Sequence, residues 1–378
     1  MYLGRILVLM TAIGGLPLLG VLLRGDPIAP YVKFPPAPIS PVIAQPFSWP
    51  LFLALGCAIL IVLAPFLSRW IRFPCSRPTP LVARSAFPWW GWVGFLALGF
   101  AWTLAWTRFS WFEPLQSHTF TPLWLSYIVI VNALTVKRIG YSMLTDRTRD
   151  FLLLFPLSAI FWWTFEYLNR FVRNWYYVGT EDFDAFSYFV FATIPFSTVL
   201  PAVLGTYEWL HTFPSISEPF RAWKSIPLPK NRLWGWIWCL AGGGTLLGIG
   251  MRPEMFYPFL WLSPLMVIIG YHTLIGNPNS LDRLAVGDWR PVVLSSLAAL
   301  ICGFFWELWN SRSLAHWEYA IPYVHGFQIF EMPLLGYAGY LPFGLMCLLF
   351  VELTMPSPPL ICHTFAPSIH EAVGGPRS

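Results

Sequence analysis

Apolar windows long enough to cross about 30 Å of hydrocarbon as helix recur along almost the whole of this 378-residue chain, and no other feature restricts its fold as strongly. Ten can be marked: residues 2–23, 49–67, 89–106, 120–135, 151–171, 186–210, 233–251, 255–275, 291–309 and 330–353. Charged residues supply 11% of the chain, against about 25% in an ordinary soluble domain, so a soluble fold is excluded. The expectation is an all-α protein, a polytopic transmembrane bundle of about ten helices in a lipid bilayer.

A net charge of +5 in a soluble domain would suggest nucleic acid or acidic partners; here its distribution between loops matters more. With the amino terminus cytoplasmic and ten helices following, sixteen of the 23 Lys and Arg residues fall inside and seven outside. That bias predicts a multi-pass protein of a bacterial-type inner membrane with both termini cytoplasmic, and no nucleic-acid partner. Arg5 precedes the first window and no A-x-A site follows it, which favours a retained signal anchor over a cleaved signal. Cys57, Cys239, Cys302 and Cys347 fall in predicted helices, and Cys75 and Cys362 in cytoplasmic segments, so neither a disulfide nor a CxxC site is expected.

The segments also match one another. Trp90-Gly91-Trp92 opens the third window and Trp234-Gly235-Trp236 the seventh; Trp124-Leu125-Ser126 in the fourth corresponds to Trp261-Leu262-Ser263 in the eighth. The loops that follow carry Asp146-Arg147 and Asp282-Arg283. This pattern implies an internal duplication. Residues 1–87 hold two extra helices and a Pro-rich exterior loop, 88–231 a first four-helix repeat with its linker, 232–355 a second repeat, and 356–378 a flexible cytoplasmic tail. An even number of helices gives both copies one orientation, so the two parallel repeats should be related by a pseudo-twofold axis along the membrane normal.

Near the outer end of the fifth and ninth windows stand an acid and an amide. Trp162, Glu166, Asn169 and Arg173 share one helical face, and Gly303, Glu307, Asn310 and Leu314 take the equivalent places. An acid at membrane depth is costly, by roughly 2.5 to 3.5 kcal/mol at the centre, so it needs a proton or partners. Asn169 and Asn310 can donate to their neighbouring carboxylates, and Arg170, Arg173 and Arg312 are close enough in sequence to neutralise them. Two readings stay open: the carboxylates hold their own repeats together, or both pairs line an exterior-facing cavity. Pro195 and Pro201 in the sixth window correspond to Pro333 and Pro342 in the tenth, with Gly336 and Gly339 between. Paired interruptions of this kind point to binding sites in duplicated membrane proteins. His316, Glu318, His325 and Glu331 match no standard metal-ligand spacing; no metal or other cofactor is expected, and Glu331 is retained as a third candidate acid. Small residues at Ala241-Gly242-Gly243-Gly244 suggest close helix packing.

The order acid, W-x-Y, then a proline-containing entry to the next helix resembles the repeated membrane domain of the heterodimeric lycopene cyclases and related carotenoid-modifying proteins. Glu307, Trp317, Tyr319, Gly326, Glu331 and Pro333 carry it in the second copy, and Glu166, Trp175, Tyr177 and Pro195 in the first. The resemblance covers about 50 residues per repeat and implies acid-catalysed chemistry on an isoprenoid double bond. An adjacent pair of acids follows the proline in that family; here Leu334-Leu335 follow Pro333.

The leading expectation is therefore a protein that binds or modifies a lipid or isoprenoid at the exterior leaflet. Glu166, Glu307 and Glu331 would be its acids or bases, with Asn169, Asn310, Arg170, Arg173, Arg312, Trp175, Tyr177, Trp317 and Tyr319 binding the substrate. A transporter or flippase for an amphipathic solute, or a non-enzymatic subunit with membrane-protein partners, are the alternatives.

Overall fold

The structure is a computed structural model and describes residues 2–35, 45–74, 85–179 and 183–355. The tail from 356, residues 36–44 of the Pro-rich loop, Cys75, Cys362, Glu181 and Asp182 lie outside the described residues.

Helix forms in every one of the ten windows. We number the long helices α1 (Tyr2–Arg24), α2 (Trp49–Arg72), α3 (Trp89–Trp106), α4 (Phe120–Ile139), α5 (Thr148–Val172), α6 (Ala185–Phe196), α7 (Val199–His211), α8 (Arg232–Met251), α9 (Phe259–Leu274), α10 (Arg290–Asn310) and α11 (Tyr340–Thr354). Eight helical segments among the described residues are long and apolar enough to cross a membrane, counting α6 and α7 as one and α11 with the 3-10 turn before it.

Three windows depart from a single continuous helix, each beside a proline; the eighth is cut by a turn at 257–258, ending in Pro258, so that a short helix Pro253–Phe256 precedes α9. Pro195 and Pro201 flank a break at 197–198 that splits the sixth window into α6 and α7. Ser158 of α5 donates to the freed Phe196 carbonyl at 2.6 Å and accepts the Leu200 N–H at 3.0 Å, restoring the bonds the break removes. The tenth window begins not as helix but as a tight hairpin, Gln328–Ile329 with Met332–Pro333, followed by a 3-10 turn over Leu334–Gly339. Ser296 of α10 donates to the Leu341 carbonyl at 2.9 Å, beside Pro342.

Helix neighbours repeat between the halves: α3 packs on α4 as α8 does on α9, α4 on α7 as α9 on α11, and α5 on α7 as α10 on α11. Contacts between the halves are reciprocal too. Trp124 of α4 lies 4.9 Å from Trp306 of α10, and its counterpart Trp261 of α9 stacks 5.1 Å from Phe165 of α5. Most telling are the two W-x-Y segments. They carry Trp175, Tyr177, Trp317 and Tyr319, expected above to bind substrate, and they form strands, β1 (Trp175–Val178) and β2 (His316–Tyr319), that pair antiparallel across the halves with Trp175 opposite Tyr319, Tyr176 opposite Glu318 and Tyr177 opposite Trp317. Equivalent residues pair crosswise about a central couple, which is the register a twofold rotation demands. We call this end of the bundle the ribbon end.

The extra helices differ from each other. On α1, Gly20 meets Gly250 of α8, and a Cβ on either would collide with a carbonyl oxygen of the facing helix, so backbone contacts backbone. Helix α2 buries none of its residues. It is pinned at its ends instead: the Ser48 N–H donates to the Tyr323 carbonyl at 2.8 Å, while Arg69 and Trp70 donate to the Pro219 and Ser215 carbonyls at 2.8 and 3.1 Å.

Residues directly opposite in an antiparallel pair bring their Cβ atoms within about 5.5 Å, close to disulfide geometry. Oxidation of the Tyr176→Cys/Glu318→Cys double variant is therefore expected to give an intrachain cross-link, seen as a mobility shift reversed by reductant; the pair moved one residue in register, Tyr176→Cys/Trp317→Cys, is expected to give little.

Candidate functional site

Two of the three predicted acids are buried at the ribbon end, Glu166 with 8% and Glu307 with 0% of its surface exposed. A carboxylate so placed takes its donors from the protein. Glu166 Oε1 accepts from the Trp162 indole at 3.0 Å, the Trp175 indole at 3.2 Å and the Tyr177 hydroxyl at 2.6 Å. Glu307 Oε1 accepts from the Tyr319 hydroxyl at 2.6 Å and the Tyr340 hydroxyl at 2.8 Å, and the Trp317 indole donates to Tyr319 at 2.9 Å. Its second oxygen, Oε2, is buried without a hydrogen-bond partner.

The two clusters solve one problem with different residues. Trp162 and Gly303 occupy the same place in their copies. Where Trp162 supplies an indole N–H, Gly303 leaves a hollow that the Tyr340 ring fills, so that a Cβ at 303 would collide with it. Tyr340 then delivers the missing donor from α11. Burial, followed by the adjacent carboxylate, pushes the hydroxyls of Tyr177 and Tyr319 well above their ordinary range, so both remain donors through neutral pH.

The amides and arginines do other work than the spacing suggested. Asn169 donates to the Trp175 carbonyl at 2.7 Å and accepts the Asn174 N–H at 2.8 Å; Asn310 donates to the Trp317 carbonyl at 2.7 Å and accepts the Trp317 N–H at 2.8 Å. Each asparagine thus clamps the start of a ribbon strand to the end of its helix, because the chain turns back there and leaves backbone groups that neither element satisfies. None of the three arginines pairs with a glutamate of the site among the described residues. Arg170 donates to the Tyr31 and Lys33 carbonyls at 3.0 and 2.7 Å; Arg173 is exposed and takes a left-handed conformation, φ 52°, that ends α5; Arg312 is exposed and lies over the Trp106 ring at 5.2 Å. Arg173 and Arg312 thus keep their charge at the surface, while half-buried Arg170 spends its on backbone carbonyls.

Glu331 sits in the turn of the small hairpin, where its carbonyl accepts from Gln328 at 3.4 Å, and it joins neither carboxylate cluster. His316 reaches Glu318 at 3.5 Å while His325 faces Gln328 at 3.1 Å, and among the described residues no three His, Cys, Asp or Glu side chains gather as a metal-binding group. The four described cysteines, Cys57, Cys239, Cys302 and Cys347, are free.

Between the halves lies an aromatic cavity of about 150 Å³. Trp162, Trp175, Trp261 and Trp306 contribute to its wall, and so do Tyr177, Tyr319 and Tyr340, whose hydroxyls bond the two glutamates. Pro195 and Phe196 from the break between α6 and α7 line it, as do Gly336 and Gly339 from the 3-10 turn, so the interruptions in both repeats meet at one place. Beside it, between α2 and the bundle, runs a much larger apolar cleft of about 850 Å³. Asn174, Trp261, Ile321, Gly336 and Gly339 line both spaces. No Asp, Glu, Lys or Arg lines either among the described residues, and His316 is a titratable side chain in the wall of the aromatic cavity.

Sequence reasoning did not select Trp162, Trp261, Tyr340 or Asn174; the exchange of Trp162 for Gly303 was the available signal that another side chain enters the second copy. It also passed over a buried acid at the opposite end of each last helix, Glu208 on α7 and Glu352 on α11, 3% and 8% exposed. Glu352 accepts the Ser280 N–H at 2.9 Å and so fastens the loop before α10.

Comparison with family models, with curated proteins and with solved structures returns no match to the chain.

Tyr319→Phe and Tyr340→Phe are each expected to lower stability by about 1–3 kcal/mol, since each strips one donor from a buried carboxylate. Gly303→Ala is expected to cost a similar amount by driving Tyr340 off its ring position. Thermal unfolding in mild detergent reads all three, and combining Gly303→Ala with Tyr340→Phe should cost less than the sum of the two, because both act through one hydrogen bond.

Proposed function

We propose that the protein binds an extended apolar chain of isoprenoid type, and that the two glutamates serve acid–base chemistry on it. The observation that carries this reading is the adjoining pair of spaces: a long apolar cleft leading to an aromatic cavity whose wall is backed by two buried carboxylates. A cleft without charged lining suits a chain without charge along its length. Tryptophan and tyrosine faces suit unsaturated or transiently cationic carbon, which the ring quadrupole attracts. Tyr177, Tyr319 and Tyr340 stand between carboxylate and cavity, so a proton exchanged with bound substrate passes through a tyrosine hydroxyl, with Glu166 or Glu307 as its reservoir. The partly matching order of acid, W-x-Y and proline in the carotenoid-modifying family agrees with this substrate class. If both termini lie in the cytoplasm, the cavity opens toward the exterior leaflet.

Gentle solubilisation followed by lipid extraction and mass spectrometry tests the proposal. The wild-type protein is expected to carry an isoprenoid in near-stoichiometric amount, and Trp261→Ala to reduce it roughly tenfold by removing a wall common to both spaces. Glu307→Gln is expected to keep the lipid bound and to abolish its conversion. A wild-type preparation free of isoprenoid but holding protein subunits in fixed ratio would instead identify a structural component of a larger assembly.

A further inference from the structure

We infer that Asn174 and Tyr257 form a polar site in the wall of the apolar cleft that takes the hydroxyl group of a long-chain isoprenoid alcohol. This deepens the chain-binding reading above and rests on it. Asn174 is held by its own backbone: its N–H donates to Asn169 Oδ1 at 2.8 Å and its carbonyl accepts the Ala320 N–H at 2.8 Å. Its side chain, on a residue 5% exposed, has no such commitment. The Oδ1 atom is buried without a partner, and the residue lines both the aromatic cavity and the cleft. Tyr257, just ahead of α9, is 6% exposed, lines the cleft, and likewise has a buried hydroxyl without a partner. Ser296, another hydroxyl in the same wall, is already committed to the Leu341 carbonyl.

Buried polar atoms left unpaired are costly, and a ligand that pairs them recovers that cost. The amide oxygen calls for a donor, and the phenol can donate or accept. With no acidic side chain in the wall among the described residues, an ammonium group would lose its hydration uncompensated. Without lysine or arginine there, so would a phosphate. A neutral hydroxyl satisfies either atom and needs no counter-charge. Helix α2, hydrogen-bonded to the bundle at its two ends, leaves much of the length between for the chain itself.

Native mass spectrometry of the full-length protein with phytol, and with phytyl methyl ether, tests the site, because the ether keeps the chain and removes the donor. Wild type is expected to retain phytol at least tenfold better than the ether. Asn174→Leu and the shape-preserving Tyr257→Phe are each expected to lose most of that preference while binding the ether as before, with thermal midpoints confirming that they fold. Equal retention of alcohol and ether by the wild type, or an unchanged preference in both variants, would overturn the hydroxyl site and leave chain binding intact. Retention of neither compound by the wild type would remove the chain-binding reading, and this site with it.

Discussion

A carboxyl group enclosed by apolar side chains has no water to turn to, and the ribbon end of this protein is organised around that shortage twice over. Each glutamate draws its donors from the helix it sits on, from the strand that follows, or from the last helix of its repeat. To deliver those donors the chain must reverse just beyond α5 and α10, and Asn169 and Asn310 secure the reversal by taking up the backbone groups it exposes. The strands so positioned then pair with each other. Burying the acids, clamping the strands and joining the halves are thus one arrangement, and removing a donor from either acid acts on all three.

The copies show how an identical demand can be met by different chemistry. An indole on the same helix in one half becomes, in the other, a phenol from a neighbouring helix that reaches in over a glycine. The second solution ties α10 to α11 through the carboxylate itself, where the first ties α5 only to its own strand. In both, Oε1 takes every donor, three for Glu166 and two for Glu307, and the Oε2 of Glu307 is fully buried. The halves are alike in architecture and unlike in how many donors their acids collect.

Much of the architecture could be read before any coordinates, because length and apolarity of a segment are local properties and duplication is visible as repeated words. All ten windows hold helix, and Glu166 and Glu307 were picked out by the cost of an acid at depth. The partners were not legible. An Asn three residues from a Glu on one helical face looks like its donor, yet strand backbone competes for the same amide and wins, since two unpaired main-chain groups outweigh one neighbour. The arginines looked like counter-ions by proximity in sequence, but their length carries them to the surface or, for Arg170, to the Tyr31 and Lys33 carbonyls. Pairing of Trp175–Val178 with His316–Tyr319 joins segments about 140 residues apart, beyond what local pattern can register. Tyr340 could be found only by asking what fills the space over Gly303.

At the middle of the ribbon, Tyr176 faces Glu318 and donates a hydrogen bond to it. In a dimer of identical subunits this position lies on the symmetry axis, so any residue there must face its own twin. Two glutamates would repel and two tyrosines would leave no acceptor stronger than a phenol. Fusing the halves into one polypeptide lifts that restriction. The seam can then hold a dissimilar couple, acid on one side and hydroxyl on the other, which no symmetric assembly could present to itself.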